Sequence, residues 1–264
     1  MNRRAKLYPL TPEITCIDDA GDSVCYVVCG KDKAAVIDTV NGMENLKDIV
    51  REITDLPLVV INTHGHCDHI YGNTYFEEAY LHPADWALHD AHFAMKAQTT
   101  PEEAVQFGAT PQELRAYIEA APCPLKPIEA GELIDLGGKT LEVIAIPGHT
   151  HGSIALLDRQ SGFLFSGDAI NGQIWLQLEE STSLKTYTES LDALAPYRSA
   201  ITELHTGHNV ESVPPTFIDT MRSQVQQILD NNGAGDDDYQ WFGGMAKRHM
   251  MGENSWILYT TDKL

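Results

Sequence analysis

Residues 62–73 read NTHGHCDHIYGN and place His64, His66, Asp68 and His69 within six positions. Neither packing nor helix formation calls for so many imidazoles beside a carboxylate. Metal ligation does. In an extended segment the side chains at i and i+2 point the same way, so His64 and His66 can offer two imidazoles to one ion. Asp68 and His69 lie past the bend and can turn toward a second. Imidazole with carboxylate suits zinc, with manganese or iron as substitutes. One such cluster has too few ligands for two metals, so the remainder must come from later in the chain. Three candidates each follow a strand-like run: His149 in IPGHTHGS, Asp168 in FSGDAI and His208 in LHTGHN.

The elements that must hold these residues follow from hydrophobic periodicity. Runs at 14–17, 23–29 and 34–38 are short, rich in β-branched residues and separated by glycines, which predicts a meander. Residues 45–54 space Leu46, Ile49, Val50 and Ile53 as one helical face. The continuous apolar run 58–61 reads as a buried strand, and the histidine motif leaves its end. Between 83 and 124, prolines set off helical segments at 84–97, 101–107 and 111–121, the last with Thr110 and Glu113 as a capping box. This stretch reads as a helical insertion in one domain spanning 1–264, serving as a lid or as an oligomer contact. Strands are expected again at 141–146, 153–157 and 163–166, with Ser161 and Gly162 at a hairpin turn. A helix at 184–194, a strand at 200–204, a helix at 215–229 closed by Gly233 and a last strand at 256–260 complete the pattern. Two stretches of strands, each followed by helices, predict an α/β protein with two sheets face to face and helices outside.

The ordered set H-x-H-x-D-H, P-G-H-T-x-G-S, S-G-D and a late G-H resembles the metallo-β-lactamase superfamily, in particular its hydroxyacylglutathione hydrolase-like (glyoxalase II-like) branch. The likeness runs from about Asp22 to His208. It implies an αββα four-layer sandwich and two zinc ions. Carried over by motif, His64, His66 and His149 would hold the first metal. Asp68, His69 and His208 would hold the second, and Asp168 would bridge them. Asp38, in VIDT, matches an early aspartate that in the family supports the metal loop from behind. Its plainer reading is a strand-end turn residue.

The other histidines are assigned to surface or core: His82, His89, His92, His205 and His249. His151 could touch the site mouth. Cys67, between ligands, is read as packing rather than as a thiolate ligand. Five cysteines, an odd number, fit a reducing compartment, and Cys25 and Cys29 are read as core residues of one strand face.

Two cations close together can acidify a shared water and supply hydroxide at neutral pH, with no Ser-His-Asp triad required. Asp68, as ligand and neighbour of that water, is the catalytic candidate for orienting or shuttling the proton. The expected activity is therefore hydrolysis of a small ester, thioester or lactone by a dinuclear metallohydrolase. Residues 170–183, with Asn171, Gln173 and Trp175, follow Asp168 and should face the metals. Lys247 and Arg248 stand where glutathione-gripping basic residues could stand, but their plainer reading is solvated surface charge. The alternatives are a mononuclear iron protein like the persulfide dioxygenases, a phosphodiesterase, and a non-catalytic metal-binding protein. Zinc β-lactamases proper carry a cysteine where Asp168 stands, and flavin-partnered di-iron reductases carry a glutamate among the motif histidines.

Composition limits the partners. The chain has 264 residues, 43% of them hydrophobic, and a formal charge of −20. Such a surface repels a polyphosphate backbone, so the expected partner is a small molecule and not nucleic acid. No run approaches the roughly 18 apolar residues that span a bilayer, so no membrane association is expected and the reading is a cytoplasmic protein.

Overall fold

The computed structural model describes residues 4–98 and 110–264. They fall into two compact units, Met1–Ile128 with Asp135–Lys139, and Glu129–Ile134 with Thr140–Leu264. The helix expected at 101–107 lies outside the described residues.

The first unit is built on one seven-stranded sheet in sequential order: β1 (Lys6–Thr11), β2 (Ile14–Asp19), β3 (Ser23–Cys29), β4 (Ala34–Ile37), β5 (Leu58–Ile61), β6 (Ala79–Leu81) and β7 (Leu125–Pro127). Strands β2 to β4 form the antiparallel meander read from the sequence, β1, which the sequence reading did not include, extends it at the edge, and β4 to β7 then pair in parallel. Helix α1 (Leu46–Arg51) buries Leu46, Ile49 and Val50, and Asn45 caps it by accepting from the Asp48 backbone N–H. These residues pack with Ile17, Cys25, Val27, Val36 and Val60 in one apolar cluster, against which Cys29 also packs. Both strand cysteines are thus free thiols serving the core. Helices α2 (Cys67–Ile70), α3 (Trp86–Lys96) and α4 (Pro111–Glu119) follow, and α4 has the expected Thr110–Glu113 capping box.

The second unit carries two sheets. The five-stranded one contains β8 (Leu133–Asp135), β9 (Thr140–Ala145), β10 (Ile154–Asp158), β11 (Phe163–Gly167) and β13 (Glu203–Thr206), in the order β13-β11-β10-β9-β8. The four-stranded one, ordered β12-β16-β15-β14, contains β12 (Gln173–Leu176), β14 (Asp237–Trp241), β15 (Gly244–Gly252) and β16 (Ser255–Tyr259). Helix α5 (Leu184–Asp192) buries Leu184, Tyr187 and Leu191, and α6 (Phe217–Asp230) buries Ile218, Met221, Val225 and Ile228. These faces meet Ile144, Leu157, Leu164 and Ile257 in a single core. Of the second sheet the sequence pattern announced only the last strand. The β14–β15 hairpin is too polar on both faces to show an alternating pattern, because Lys247 pairs with Asp238 and Arg248 with Asp237 across it. Those two basic residues are therefore committed to cross-strand acids.

Candidate metal centre

In the first unit the motif begins where two parallel strands end together. Ile37 on β4 is in register with Ile61 on β5, so Asp38 and Asn62 start adjacent loops, and the Asp38 N–H donates to Ile61 O at 2.8 Å. The ends of parallel strands are where α/β proteins place ligands, since the backbone is rigid there and the side chains are open. Asp38 adopts φ +64°, a left-handed conformation that costs a non-glycine residue free energy and needs compensation. Three contacts provide it. Oδ1 accepts from the Thr63 N–H at 2.7 Å, Oδ2 accepts from Thr63 Oγ1 at 2.8 Å, and Oδ2 lies 3.0 Å from His69 Nδ1.

The loop after β5 is clamped at both ends. Asn62 Nδ2 donates to His69 O at 2.9 Å, Asn73 Nδ2 donates to Asn62 Oδ1 at 2.9 Å, and Thr39 Oγ1 donates to Asn73 Oδ1 at 2.9 Å. The buried Asp85 carboxylate accepts from the Gly65 N–H at 2.9 Å and fixes the bend between the first two histidines. Sequence reading missed Asn62, Asn73, Thr39 and Asp85. The asparagines bracketing the motif were the available signal.

Held this way, the imidazoles crowd together. The ring centroids of His64 and His66 are 4.8 Å apart and those of His64 and His69 4.2 Å. His64 Nδ1 sits 3.0 Å from Thr63 Oγ1, and His69 Nε2 lies 3.3 Å from Asp68 Oδ2. With Nδ1 of both rings directed to a protein oxygen, Nε2 is the atom each presents for ligation. His92, read from sequence as surface or core, instead stacks on His66 at 5.4 Å from α3. Burial pushes the Cys67 thiol up to about 12, which suits the packing reading.

In the second unit the same strand-end logic recurs. β11 and β13 are parallel, Gly167 is in register with Thr206, and the Gly207 N–H donates to Gly167 O at 2.9 Å. Asp168 and His208 follow directly, and His208 Nε2 is 2.9 Å from Asp168 Oδ2. His149 Nε2 is 3.7 Å from the same oxygen, while its Nδ1 donates to Trp175 O at 2.7 Å. Gly148 is required by close approach, because a Cβ there would lie 2.1 Å from the Tyr187 ring. Ser181 Oγ donates to His149 O, so residues 148–149 are held from both sides.

The unit therefore brings His149, Asp168 and His208 together, as the first brings together His64, His66, Asp68 and His69. Four further histidines have partners of their own, and His151 is exposed. His205 packs on Phe163 at 4.4 Å and burial lowers its pKa to about 4. His249 bonds Asp236 and Gln224. His89 is buried beside Asp90, His82 accepts from the Ala84 N–H, and His151 is exposed.

A family model described as the metallo-beta-lactamase superfamily matches residues 18–208. The chain belongs to that superfamily. Acyl-coenzyme A thioesterase MBLAC2 of Gallus gallus is 31% identical to it over 156 residues, which cover 55% of this chain and 56% of that protein. Hydroxyacylglutathione hydrolase of Gloeobacter violaceus is 32% identical over 138 residues, covering 52% of this chain and 44% of that protein. The chain thus spans about half the length of these relatives. A metallo-beta-lactamase from Pontibacter korlensis superposes with a TM-score of 0.61 at 16% identity, over 84% of this chain and 99% of that one. Its likeness concerns the fold, which is the metallo-beta-lactamase fold that the motif order implied. The superfamily and the imidazole and carboxylate donors together fit a divalent metal.

Proposed function

We propose that this superfamily member is a dinuclear metallohydrolase acting on a small ester, thioester or lactone. His64, His66 and His149 would hold one zinc ion, Asp68, His69 and His208 the other, and Asp168 would be shared. The observation that carries the reading is the donor chemistry of the two units. Each supplies imidazoles and carboxylates at the ends of paired parallel strands, with His69 and His149 oriented through Nδ1 by a carboxylate and a carbonyl. Relatives named as a thioesterase and as a hydroxyacylglutathione hydrolase point to carbonyl rather than phosphoryl chemistry.

Two divalent cations, once bound, supply a water acidified to near-neutral pKa and an electrophile for a carbonyl oxygen. The residues do the rest. Asp68, half-buried with Oδ2 3.3 Å from His69 Nε2, would take the proton of the attacking water and return it to the leaving thiol or alcohol. Asp38 keeps His69 in one tautomer and one orientation. On α3, His92 stacks on His66 at 5.4 Å and would hold that ring in place. Overall, the water oxygen bonds to the carbonyl carbon, the C–S or C–O bond breaks, and acid and thiol or alcohol are released.

The test is kcat/KM for the zinc-loaded protein across short thioesters, simple lactones and an activated phosphodiester. Preference for the phosphodiester by more than roughly tenfold would replace carbonyl hydrolysis with phosphodiester cleavage. Oxygen consumption with a persulfide by an iron form that hydrolyses none of them would favour the dioxygenase reading. Turnover of no substrate with full metal loading would leave a metal-binding protein. No nucleic acid or membrane partner is proposed, and among the described residues no helix is long and apolar enough to cross a membrane.

A further inference from the structure

Between β12 and α5 the chain runs through residues 177–183 with neither strand nor helix, yet Ser181 and Thr182 are buried. This stretch lies against the turn that carries His149. Ser181 Oγ donates to His149 O at 2.8 Å, and the Thr182 N–H donates to Gly148 O at 2.9 Å. His149 Nδ1 in turn donates to Trp175 O at 2.7 Å. Two bonds thus fix the His149 backbone and the third fixes its ring, so His149 is placed no better than residues 175–182 are. At one end of the stretch Leu176 is held by its pairing with Tyr259, and at the other Ser183 caps α5 by accepting from the Thr186 N–H at 3.1 Å. Between these anchors the Ser181 N–H donates to Leu178 O at 3.1 Å, a local bond that sets the curl of the loop but not its location.

Lys263 supplies the location. Its Nζ donates to Ser181 O at 2.6 Å, across 82 residues of sequence, and to Glu179 O at 3.3 Å. The ammonium comes from a fixed base. β16 runs parallel to β12 and the two end together, with Tyr259 beside Leu176, and the single turn Thr261–Lys263 follows. The Lys263 N–H donates to Thr260 O at 3.0 Å, and Leu264 packs on the core of this unit. A lysine suits the task, because a point charge with three donors can serve two carbonyls from one centre. Hydrogen bonds from an ionised donor are also roughly twice as strong as neutral ones.

We propose that Lys263 is a positioning residue for His149, acting through Ser181. The ammonium sets where residues 179–182 sit, and their bonds to Gly148 O and His149 O set where the imidazole meets a metal ion. The inference rests on the assignment of His149 as a metal donor and names a residue outside the motifs that holds this donor in place. The plainer role for the ammonium is to satisfy two loop carbonyls. Glu179 is exposed and Lys263 only half-buried, however, so water would take the ammonium's place there at little cost. What water cannot do is fix the distance of those carbonyls from β16. A donor that must meet its ion to within about 0.5 Å gains from such a tether.

The experiment compares the wild type with Lys263→Met, Lys263→Arg, Ser181→Ala and the Ser181→Ala/Lys263→Met double variant. Zinc affinity is measured by competition with a chromophoric chelator, and the His149 Nδ1 proton is followed by NMR in metal-free protein. Lys263→Met is expected to move that resonance and to weaken zinc roughly three- to tenfold, less than the loss of a ligand's direct partner causes. Lys263→Arg should restore most of both. In the Ser181→Ala background the effect of Lys263→Met should shrink, because residues in one chain of bonds do not act additively. An unmoved resonance with wild-type affinity would overturn the proposal and, if urea stability fell, leave Lys263 as a loop fastener. A full effect of Lys263→Met in the Ser181→Ala background would overturn it as well. A moved resonance with wild-type zinc affinity would keep the tether and remove His149 from the metal donors. The expected result in a protein that hydrolyses no ester, thioester or lactone would keep the proposal and remove the hydrolase.

Discussion

His69 Nδ1 lies 3.0 Å from Asp38 Oδ2, and that carboxylate is itself fixed by the backbone N–H and the hydroxyl of Thr63. The imidazole is thereby pinned with Nε2 outward at a buried position, and Asp38 keeps a left-handed φ of +64° to do it. Replacing Asp38 with Ala frees the ring to rotate and to change tautomer. Metal affinity is expected to fall ten- to a hundredfold, as is usual when the partner of a ligating histidine is lost. Competition against a chromophoric chelator measures it, and an unchanged affinity would separate Asp38 from the metal loop.

Metal content follows from the same reading. Protein purified without chelator should carry close to two equivalents of zinc, and Asp168→Asn should lower both occupancy and kcat. His249→Ala serves as the contrast, because His249 bonds Asp236 and Gln224 and stands apart from the donor set. It should cost stability, about 1 kcal/mol for each hydrogen bond lost, while metal content stays full. Equal loss of metal at both positions would contradict the assignment.

Gly148 offers a structural test of the second unit. With a Cβ 2.1 Å from the Tyr187 ring, Gly148→Ala must displace a fully buried tyrosine whose hydroxyl donates to Ala169 O at 2.6 Å. Overpacking of this kind costs about 1–3 kcal/mol. Because His149 is the next residue, kcat should drop as well, and a crystal structure of the variant should show the His149–Trp175 bond lengthened. Wild-type stability and activity in this variant would contradict the packing argument.

How far the sequence discloses this molecule depends on what each residue does. The candidate donors stood out because their types at their spacing have no packing purpose, and the strands before them were legible because β5 and β11 are continuous apolar runs. Helix α5 was legible from Leu184, Tyr187 and Leu191 at helical spacing. The β14–β15 hairpin was not, since its cross-strand pairs are charged and its aromatic tip is exposed rather than buried. The clamp of Asn62, Asn73 and Thr39 was hidden for a different reason. Polar residues that satisfy one another inside a fold look, in a linear sequence, like ordinary loop residues. His92 shows the same limit, because only the path of α3 brings it onto His66.

Lys96, at the end of α3, gives the clearest pH dependence. Only 2% of it is exposed, its Nζ makes no hydrogen bond among the described residues, and it faces the rings of Tyr117, Phe93 and Tyr71 at 4.4, 5.0 and 5.3 Å. Burial lowers its pKa from 10.5 to about 8. The folded state therefore binds its proton less tightly than the unfolded state does, so the amine is a penalty that is complete below pH 8. The penalty fades as pH rises from about 8 toward 10.5, where the unfolded chain also loses the proton. Its size is up to about 3 kcal/mol from the shift, less the cation–π attraction of the rings, each worth about 0.5–2 kcal/mol. Burial also raises Tyr71 and Tyr117 well above the usual phenol range, so neither ionises in that window. Where desolvation outweighs the rings, Lys96→Met should thus be more stable than wild type at pH 7 by at most about 1.5 kcal/mol, the shift less at least about 0.5 kcal/mol for each of the three rings, and the gap should close between pH 8 and 10.5. Urea denaturation of both proteins at half-unit pH intervals measures it. A gap that stayed constant across that range, or a variant less stable than wild type at pH 7, would show that the aromatic cage holds the charged amine at no net cost.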